Sequence, residues 1–375
     1  MFIIFSIISQ KSIIENLSLY NIRKEIYNFH QKDLLDYKNE TFQKFEKPKI
    51  SIIITLFNQK DYLLKIYSSI LMQTIKEIEI IFIDDASNDN SSLLVKKLMN
   101  QDKRITYLKN KKNKGQFYSR NKGILSSKGE YIIIIDPDDL LLNDILIKSY
   151  AWAKKYNLDI VQFYHIMGDY KKNRLIILNE NSGILFQPET NNIFFNCETR
   201  YLWDKLVRRT VLIKSIYFMK EKYRKVRFMV HNDDTACFGI FKSAYSYGQF
   251  EEIGYFYYRE NKNSTSRNNF IPENINGRFH SIFTTMDYYY EQSENNTFEK
   301  TKGGFRFFEY RIIRKYASKI PLLTKGFNYI NFVIDKYINS TFFNSTQKKQ
   351  LRSFKYKVNI QKLKVKQGNN SRIII

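Results

Sequence analysis

The chain has 375 residues, 43% of them hydrophobic and 26% charged, which fits a soluble globular protein with one large domain or one domain and a substantial addition. Its formal charge of +24, from 61 basic and 37 acidic residues, would suit nucleic acid, an acidic membrane surface or anionic substrates. That surplus is spread along a chain rich in Lys, Asn, Ile, Tyr and Phe, so by itself it singles out no partner. A nucleic-acid-binding protein would concentrate basic residues and interleaved aromatics on one element, whereas here the basic residues are diffuse except near the C-terminus. The two cysteines, Cys197 and Cys237, form no CxxC pair and exclude a disulfide scaffold or a structural zinc site.

Residues 1–8 are apolar apart from Ser6, but no basic residue precedes them and they fall far below the ~20 residues needed to span a bilayer. They read as a weak signal-like segment or as a buried or truncated terminus. Helical spacing through residues 9–46 (Ile13, Ile14, Leu17, Tyr20) makes 1–47 a helical leader, and Pro48 marks a boundary. Residues 49–56 (KISIIITL) form a buried strand, followed by a helix carrying Leu63, Ile66, Tyr67 and Ile70. A second strand, 78–83, ends in DDASNDNS, and the next helix carries Leu94, Val95, Leu98 and Met99. A third strand at 105–108 leads through a Lys/Asn-rich loop to Gly115 and a helix reaching Leu125. The fourth strand is 131–135 (YIIII). Regular alternation of strand and helix argues for a parallel sheet covered on both faces, with ligands bound at the strand C-termini.

Beyond Asp139 the pattern predicts a helix over 142–156, a strand over 159–164 and a hairpin and loop over 168–188. Helices follow at 201–216 and around 233–244, with an extended segment at 249–259. Residues 268–346 read as a helical C-terminal extension. Residues 347–375 read as a Lys-rich tail, a solvated face or disordered end that could make peripheral membrane contact. No segment qualifies as transmembrane, which fits a soluble or peripheral protein.

Four clusters carry chemistry. Residues 136–139 (DPDD) place three carboxylates at the end of a buried strand, split by a proline that cannot extend the ladder. The cluster is either an Asp-rich turn or a site where one carboxylate meets a hard divalent cation and another a sugar or ribose hydroxyl. Asp84 and Asp85 could accept from a nucleobase N–H or ribose hydroxyls, while the Ser and Asn residues after them could cap the next helix. Thr55 and Phe57 close the first strand, and the aromatic either flanks a flat base or joins the core. Gly115 permits close backbone approach at a helix start suited to anions. Arg120, with Asn121 beside it, could reach a base carbonyl or phosphate, or simply lie on the surface.

In order and spacing, KISIIITL, IDDASNDNS, NKGQFYSRNKGI and GEYIIIIDPDD resemble the nucleotide-binding half of family 2 glycosyltransferases. The resemblance implies a GT-A fold: a Rossmann-like, mostly parallel α/β sheet flanked by helices, with residues 48–140 as the nucleotide-binding half and 141–267 as the acceptor half. It also implies a hexosyltransferase-type enzyme that moves a sugar with inversion from a nucleotide diphosphate donor, commonly UDP-linked, to a glycan, lipid or protein hydroxyl. Asp138 would then hold Mn²⁺ or Mg²⁺ and Asp136 the sugar or ribose. In Asn232-Asp233-Asp234-Thr235, Asp234 takes the general-base position, with Asp233 as its acidic neighbour where Glu or Asp is usual. Tyr201-Leu202-Trp203-Asp204-Lys205-Leu206 is similar to a Trp-x-Lys-Leu segment of one branch. Trp203 is therefore a candidate acceptor platform, a buried core Trp being the alternative. His231 is either a further metal ligand or a hydrogen-bonded structural residue. Tyr257-Tyr258-Arg259 and Asn263-Ser264-Thr265-Ser266 resemble the end of that branch's catalytic domain.

The Gln-x-x-Arg-Trp motif and membrane spans of processive synthases are missing, which argues against a cellulose- or chitin-type polymerase. A sugar-phosphate nucleotidyltransferase would want a Gly-rich loop after the first strand, where Asn58-Gln59-Lys60 has none. The other reading is a non-catalytic nucleotide-sugar binder of the same fold, against which Asp138 and Asp234 both argue. No partner role for nucleic acid is expected.

Overall fold

The computed structural model describes residues 24, 42–142, 144–168, 176–177, 183–186, 201–258, 261, 272–293, 319–339 and 345–367. Most of the leader, Cys197, much of the 168–188 hairpin, and the expectations for Arg259 and for residues 263–267 lie outside these residues.

Strand β1 (Ile50–Leu56) is buried at every position, and its side chains divide between two cores. Ile52 and Ile54 join one cluster with helices α1 (Lys60–Leu71) and α2 (Ser91–Gln101), while Ile53 faces the other. A strand apolar on both faces belongs inside a helix-covered parallel sheet. β2 (Ile78–Asp84) and β4 (Tyr131–Ile135) flank β1 in parallel register, and β3 (Ile105–Lys109) extends the sheet beyond β2. Consequently Leu56, Asp84 and Ile135 all end at one edge of the sheet.

Helix α3 (Gln116–Ser126) lies close against that sheet because Gly123 has no side chain: a Cβ there would sit 2.7 Å from Ile83 Cδ1 and 2.8 Å from Ile53 Cγ2. Strand β5 (Leu140–Leu141) precedes α4 (Ile145–Tyr156), and β6 (Ile160–Gly168) follows. Two short strands, β7 (Ile176–Ile177) and β8 (Gly183–Phe186), pair with β6 and with β10 (Ser246–Tyr258). The sheet runs β3-β2-β1-β4-β9-β6-β10-β5, with β9 (Lys205–Arg208) antiparallel to both its neighbours. The expected GT-A-like α/β sheet with a helical C-terminal region is therefore what the chain forms.

Residues 201–216 do not make one helix. Lys205–Arg208 instead fills the gap between β4 and β6, and α5 (Arg209–Phe218) starts only afterwards. The short apolar run carries no period of its own, and the open sheet edges decide its conformation. The short α6 (Glu221–Arg224) and then α7 (Asn232–Ser243) follow.

Helices α8 (Pro272–Ser293), α9 (Phe327–Asn339) and α10 (Ser345–Lys366) belong to the second core, together with α5 and α7. Residues 347–367 are thus no loose tail: Leu351, Phe354 and Val358 are buried along one stripe of α10, and only its other side is solvated.

Candidate functional site

The site is built where β1, β2 and β4 end and α7 begins. Two loops there are laced together. Asn58, in the left-handed region at φ 55°, donates its N–H to Ser87 Oγ (3.0 Å) and accepts from Asn88 N–H (3.0 Å). Ser91 Oγ and Asp89 Oδ2 accept from the N–H groups of Gln59 (3.1 Å) and Lys60 (3.1 Å). These two side chains therefore satisfy the start of α1 across the gap, and Asp89 Oδ1 also accepts from Ser91 N–H (3.0 Å) at the start of its own helix.

The two aspartates after β2 turn inward. Asp84 is fully buried and accepts from Ser87 N–H (2.7 Å), Ser92 Oγ (2.6 Å) and Tyr107 Oη (2.6 Å). Burial pushes its pKa up, but these donors outweigh that and hold the carboxyl below its usual range. Asp85 accepts from Asn110 Nδ2 and Lys114 N–H, both 2.8 Å, and from Gly115 N–H (2.7 Å). It fixes the loop before α3, where Gly115 has φ 89°. Both carboxylates are engaged by the protein itself. Thr55 is buried at 6% exposure, whereas Phe57, just after β1, stands 47% exposed.

The cluster after β4 divides its labour. Asp139 is buried and accepts from Tyr255 Oη (2.7 Å) and Tyr258 N–H (2.8 Å), contacts aimed by the register shifts in β10. Burial, with Asp138 and Asp136 adding repulsion, raises its pKa well above the carboxylate range, so it is the anchor of the turn. Asp138 accepts from Asn261 Nδ2 (2.7 Å), and Asn261 Oδ1 in turn accepts from Tyr62 Oη (3.2 Å). Burial and the neighbouring Asp136 push Asp138 up to about 6, against the Asn261 hydrogen bond. Asp136 Oδ1 accepts from Gln116 Nε2 (2.9 Å) and Arg120 Nη2 (2.9 Å).

Arg120 ties this strand end to α7. Its side chain, 4% exposed, also donates through Nη1 to Asn232 Oδ1 (2.8 Å) and to Asp233 in a short ion pair. Burial works against its charge, but Asp233 and Asp136 more than compensate and raise its pKa further. Burial likewise raises Asp233, opposed by Arg120. Gln116 Oε1 closes the ring by accepting from Asn232 Nδ2 (3.3 Å). Asp234 Oδ2 lies 2.7 Å from His231 Nδ1, and His231 holds the left-handed backbone at φ 59° that starts α7. Helix α8 braces this corner: Tyr289 Oη donates to the Asp234 carbonyl (2.9 Å), and the Thr285 and Thr235 hydroxyls meet at 2.8 Å.

The structure therefore brings Asp136, Asp138, Arg120, Asp233 and Asp234 to one corner. It does not bring Trp203 there as a platform. Trp203 is 2% exposed and stacked between Tyr201 and Tyr255, each with ring centroids 4.6 Å away, so it has no open face for a sugar. Asn121 lines a largely apolar cavity with Phe117, Ile124, Leu202 and Leu212. Gln116, Tyr255 and Asn261 were not legible as site residues, because their roles arise from long-range packing. Among the described residues no three His, Cys, Asp or Glu side chains converge as a metal site. His231 meets Asp234 through Nδ1.

A mostly parallel sheet thus carries carboxylates at the ends of β2 and β4, and Arg120 joins those after β4 to the acidic start of α7. The family profile described as Glycosyl transferase family 2 matches residues 51–248, and the chain belongs to that family. It is 31% identical over 221 residues to a cholesterol galactosyltransferase of Borreliella burgdorferi, covering 56% of this chain and 62% of the relative. It is 29% identical over 231 residues to the uncharacterized glycosyltransferase EpsJ of Bacillus subtilis, covering 60% and 65%. The chain thus spans less than two thirds of these relatives. In fold it is similar to S. aureus TarS residues 1–349 in complex with UDP-GlcNAc, with a TM-score of 0.63, 14% identity, and coverage of 85% of this chain and 92% of that one.

Proposed function

We infer that the protein is an inverting glycosyltransferase that moves a sugar from a nucleotide diphosphate donor, UDP-linked, to an acceptor hydroxyl. The observation that carries this reading is Arg120, whose single side chain joins Asp136 of the strand-end cluster to Asp233 of α7. Donor-side and acceptor-side carboxylates thereby belong to one site. The TarS complexes with UDP-GlcNAc and UDP support a nucleotide-sugar donor.

A divalent cation fits the donor set. Asp138 sets a carboxylate beside that of Asp136 at the end of β4, held by Asn261 Nδ2 (2.7 Å). One or two carboxylates with phosphate oxygens completing the shell is the usual arrangement for Mg²⁺, and Mn²⁺ suits the same ligands. When bound, the ion would neutralise charge developing on the departing diphosphate. Asp138 would hold it, with Asp136 placed on the sugar or ribose and Phe57 against the base.

At the acceptor side, Asp234 takes the proton of the acceptor hydroxyl as that oxygen attacks the anomeric carbon. The nucleoside diphosphate leaves from the opposite face, so the anomeric configuration inverts. An isolated aspartate is a weak base, with an ordinary pKa of ~3.9. His231 Nδ1 lies 2.7 Å from Asp234 Oδ2 and orients the carboxyl.

Incubating the purified protein with a panel of nucleotide sugars and Mn²⁺ or Mg²⁺, and following release of nucleoside diphosphate, tests the reading. Turnover of one donor, lost in Asp138→Ala, is expected. Silence with every donor while UDP binding persists would replace the catalytic reading with a non-catalytic binder, and loss of both would overturn the nucleotide-sugar reading altogether.

A further inference from the structure

Helix α10 carries eight Lys or Arg residues and no Asp or Glu, in a chain whose overall ratio is 61 to 37. The general Lys bias of the chain supplies basic residues but does not remove acidic ones. Lys355 pairs with Asp335 of α9 (2.5 Å), and Lys362 donates to Asn328 (2.7 Å). Elsewhere in the molecule exposed lysines often meet carboxylates, as Lys148 does Glu252 and Lys154 does Glu130. Lys349, Arg352 and Lys366 of α10 form no ion pair among the described residues.

The placement of these charges is the second observation. Leu351, Phe354, Val358 and Gln361 turn one side of α10 into the core. Tyr356 and Leu363 lie two turns apart on the opposite side and are 67% and 58% exposed. Lys349 and Arg352 lie two turns and one turn before Tyr356 on that side, and Lys366 lies one turn after Leu363. The outward face is thus a short apolar strip bordered by cations on a convex, already docked helix. A groove-seeking peptide finds no concavity on such a face, and a purely electrostatic polyanion site has no use for its exposed Leu and Tyr. A surface that offers anionic headgroups above an apolar layer matches both features.

We propose that the outer face of α10 docks the protein onto an anionic phospholipid bilayer, with Tyr356 and Leu363 entering the headgroup boundary and Lys349, Arg352 and Lys366 meeting lipid phosphates. The proposal does not depend on the catalytic reading, because binding is measured without donor or acceptor.

Flotation of the full chain with vesicles of phosphatidylcholine alone or mixed with phosphatidylglycerol tests it. Binding to the anionic vesicles and little to the neutral ones is expected. Lys349→Gln with Arg352→Gln should weaken partitioning ~25-fold, about fivefold per charge. Tyr356→Ser with Leu363→Ser leaves the charge intact and should weaken it about tenfold. All four positions lie on the solvent face of α10, and unchanged far-UV circular dichroism would confirm that each variant folds. Equal binding to both vesicle types, or no binding to either, overturns the proposal. So does anionic-vesicle binding that the apolar pair leaves untouched and that free DNA abolishes, since that result describes a general polyanion surface.

Discussion

Arg120→Ala removes the charged side chain that joins Asp136 at the strand end to Asp233 of α7. The guanidinium is 4% exposed, and Asp136 and Asp233 are 20% and 25% exposed, so the substitution leaves two carboxylates facing each other in a partly desolvated corner. Breaking a buried pair by deleting one partner costs about 3–5 kcal/mol. Partial solvation of both acids places this case at the lower end, about 3 kcal/mol. For a chain of 375 residues, with an unfolding entropy of ~0.8 kcal/mol/K, that corresponds to a fall of ~4 °C in Tm. Arg120→Lys keeps the charge but loses the fork that reaches Asp136, Asn232 and Asp233 together, and should recover only part of the loss. Thermal unfolding of the three proteins, with turnover measured alongside, reads both effects. A Tm for Arg120→Ala within ~1 °C of the parent, combined with parental turnover, would refute the claim that Arg120 unites the two halves of the site.

Gly123→Ala places a methyl 2.7 Å from Ile83 Cδ1 and 2.8 Å from Ile53 Cγ2, and should cost ~1–3 kcal/mol in urea unfolding as α3 shifts from the sheet. Tyr289→Phe keeps the ring that packs on Phe238 but loses the hydrogen bond to the Asp234 carbonyl, so stability should fall by about 1 kcal/mol and kcat should drop with donor KM unchanged. Burial works to raise Glu291 of α8, yet Lys220 and Lys222 overcome this and hold it down to about 2. Its folded pKa lies below the unfolded value, so its stabilisation is fully present above pH ~4.5 and is lost as pH falls through the window toward about 2. Glu291→Gln should therefore flatten the acid limb of the stability curve by ~1–2 kcal/mol, the exposed lysines limiting the effect.

What the sequence made legible follows from how local each signal was. The runs KISIIITL and YIIII announce buried strands because only a helix-covered sheet hides apolar residues on both faces. Carboxylates immediately after β2 and β4 could be placed at the binding edge for the same reason. Which of them the protein uses for itself could not be read. Asp84 and Asp139 are engaged by Tyr107 and by Tyr255, residues 23 and 116 positions away. Arg120 read as a base or phosphate contact because its two acidic partners come from segments 16 and 113 positions away. Lys205–Arg208 read as helix because a four-residue run has no period, and its place in the sheet is set by β4 and β6. Trp203 shows the same limit: its neighbours are aromatics of β10, and burial rather than residue type decides what it can do.

The central claim is that Asp234 acts as the base in a site whose donor half is intact without it. Asp234→Asn, compared with the parent for UDP binding in Mn²⁺ by titration calorimetry and for sugar transfer in a single turnover, tests it most directly. The account predicts an unchanged Kd for UDP and a transfer rate lower by roughly 10²–10⁴-fold. Parental transfer by Asp234→Asn, or a loss of UDP binding equal to the loss of transfer, would contradict it.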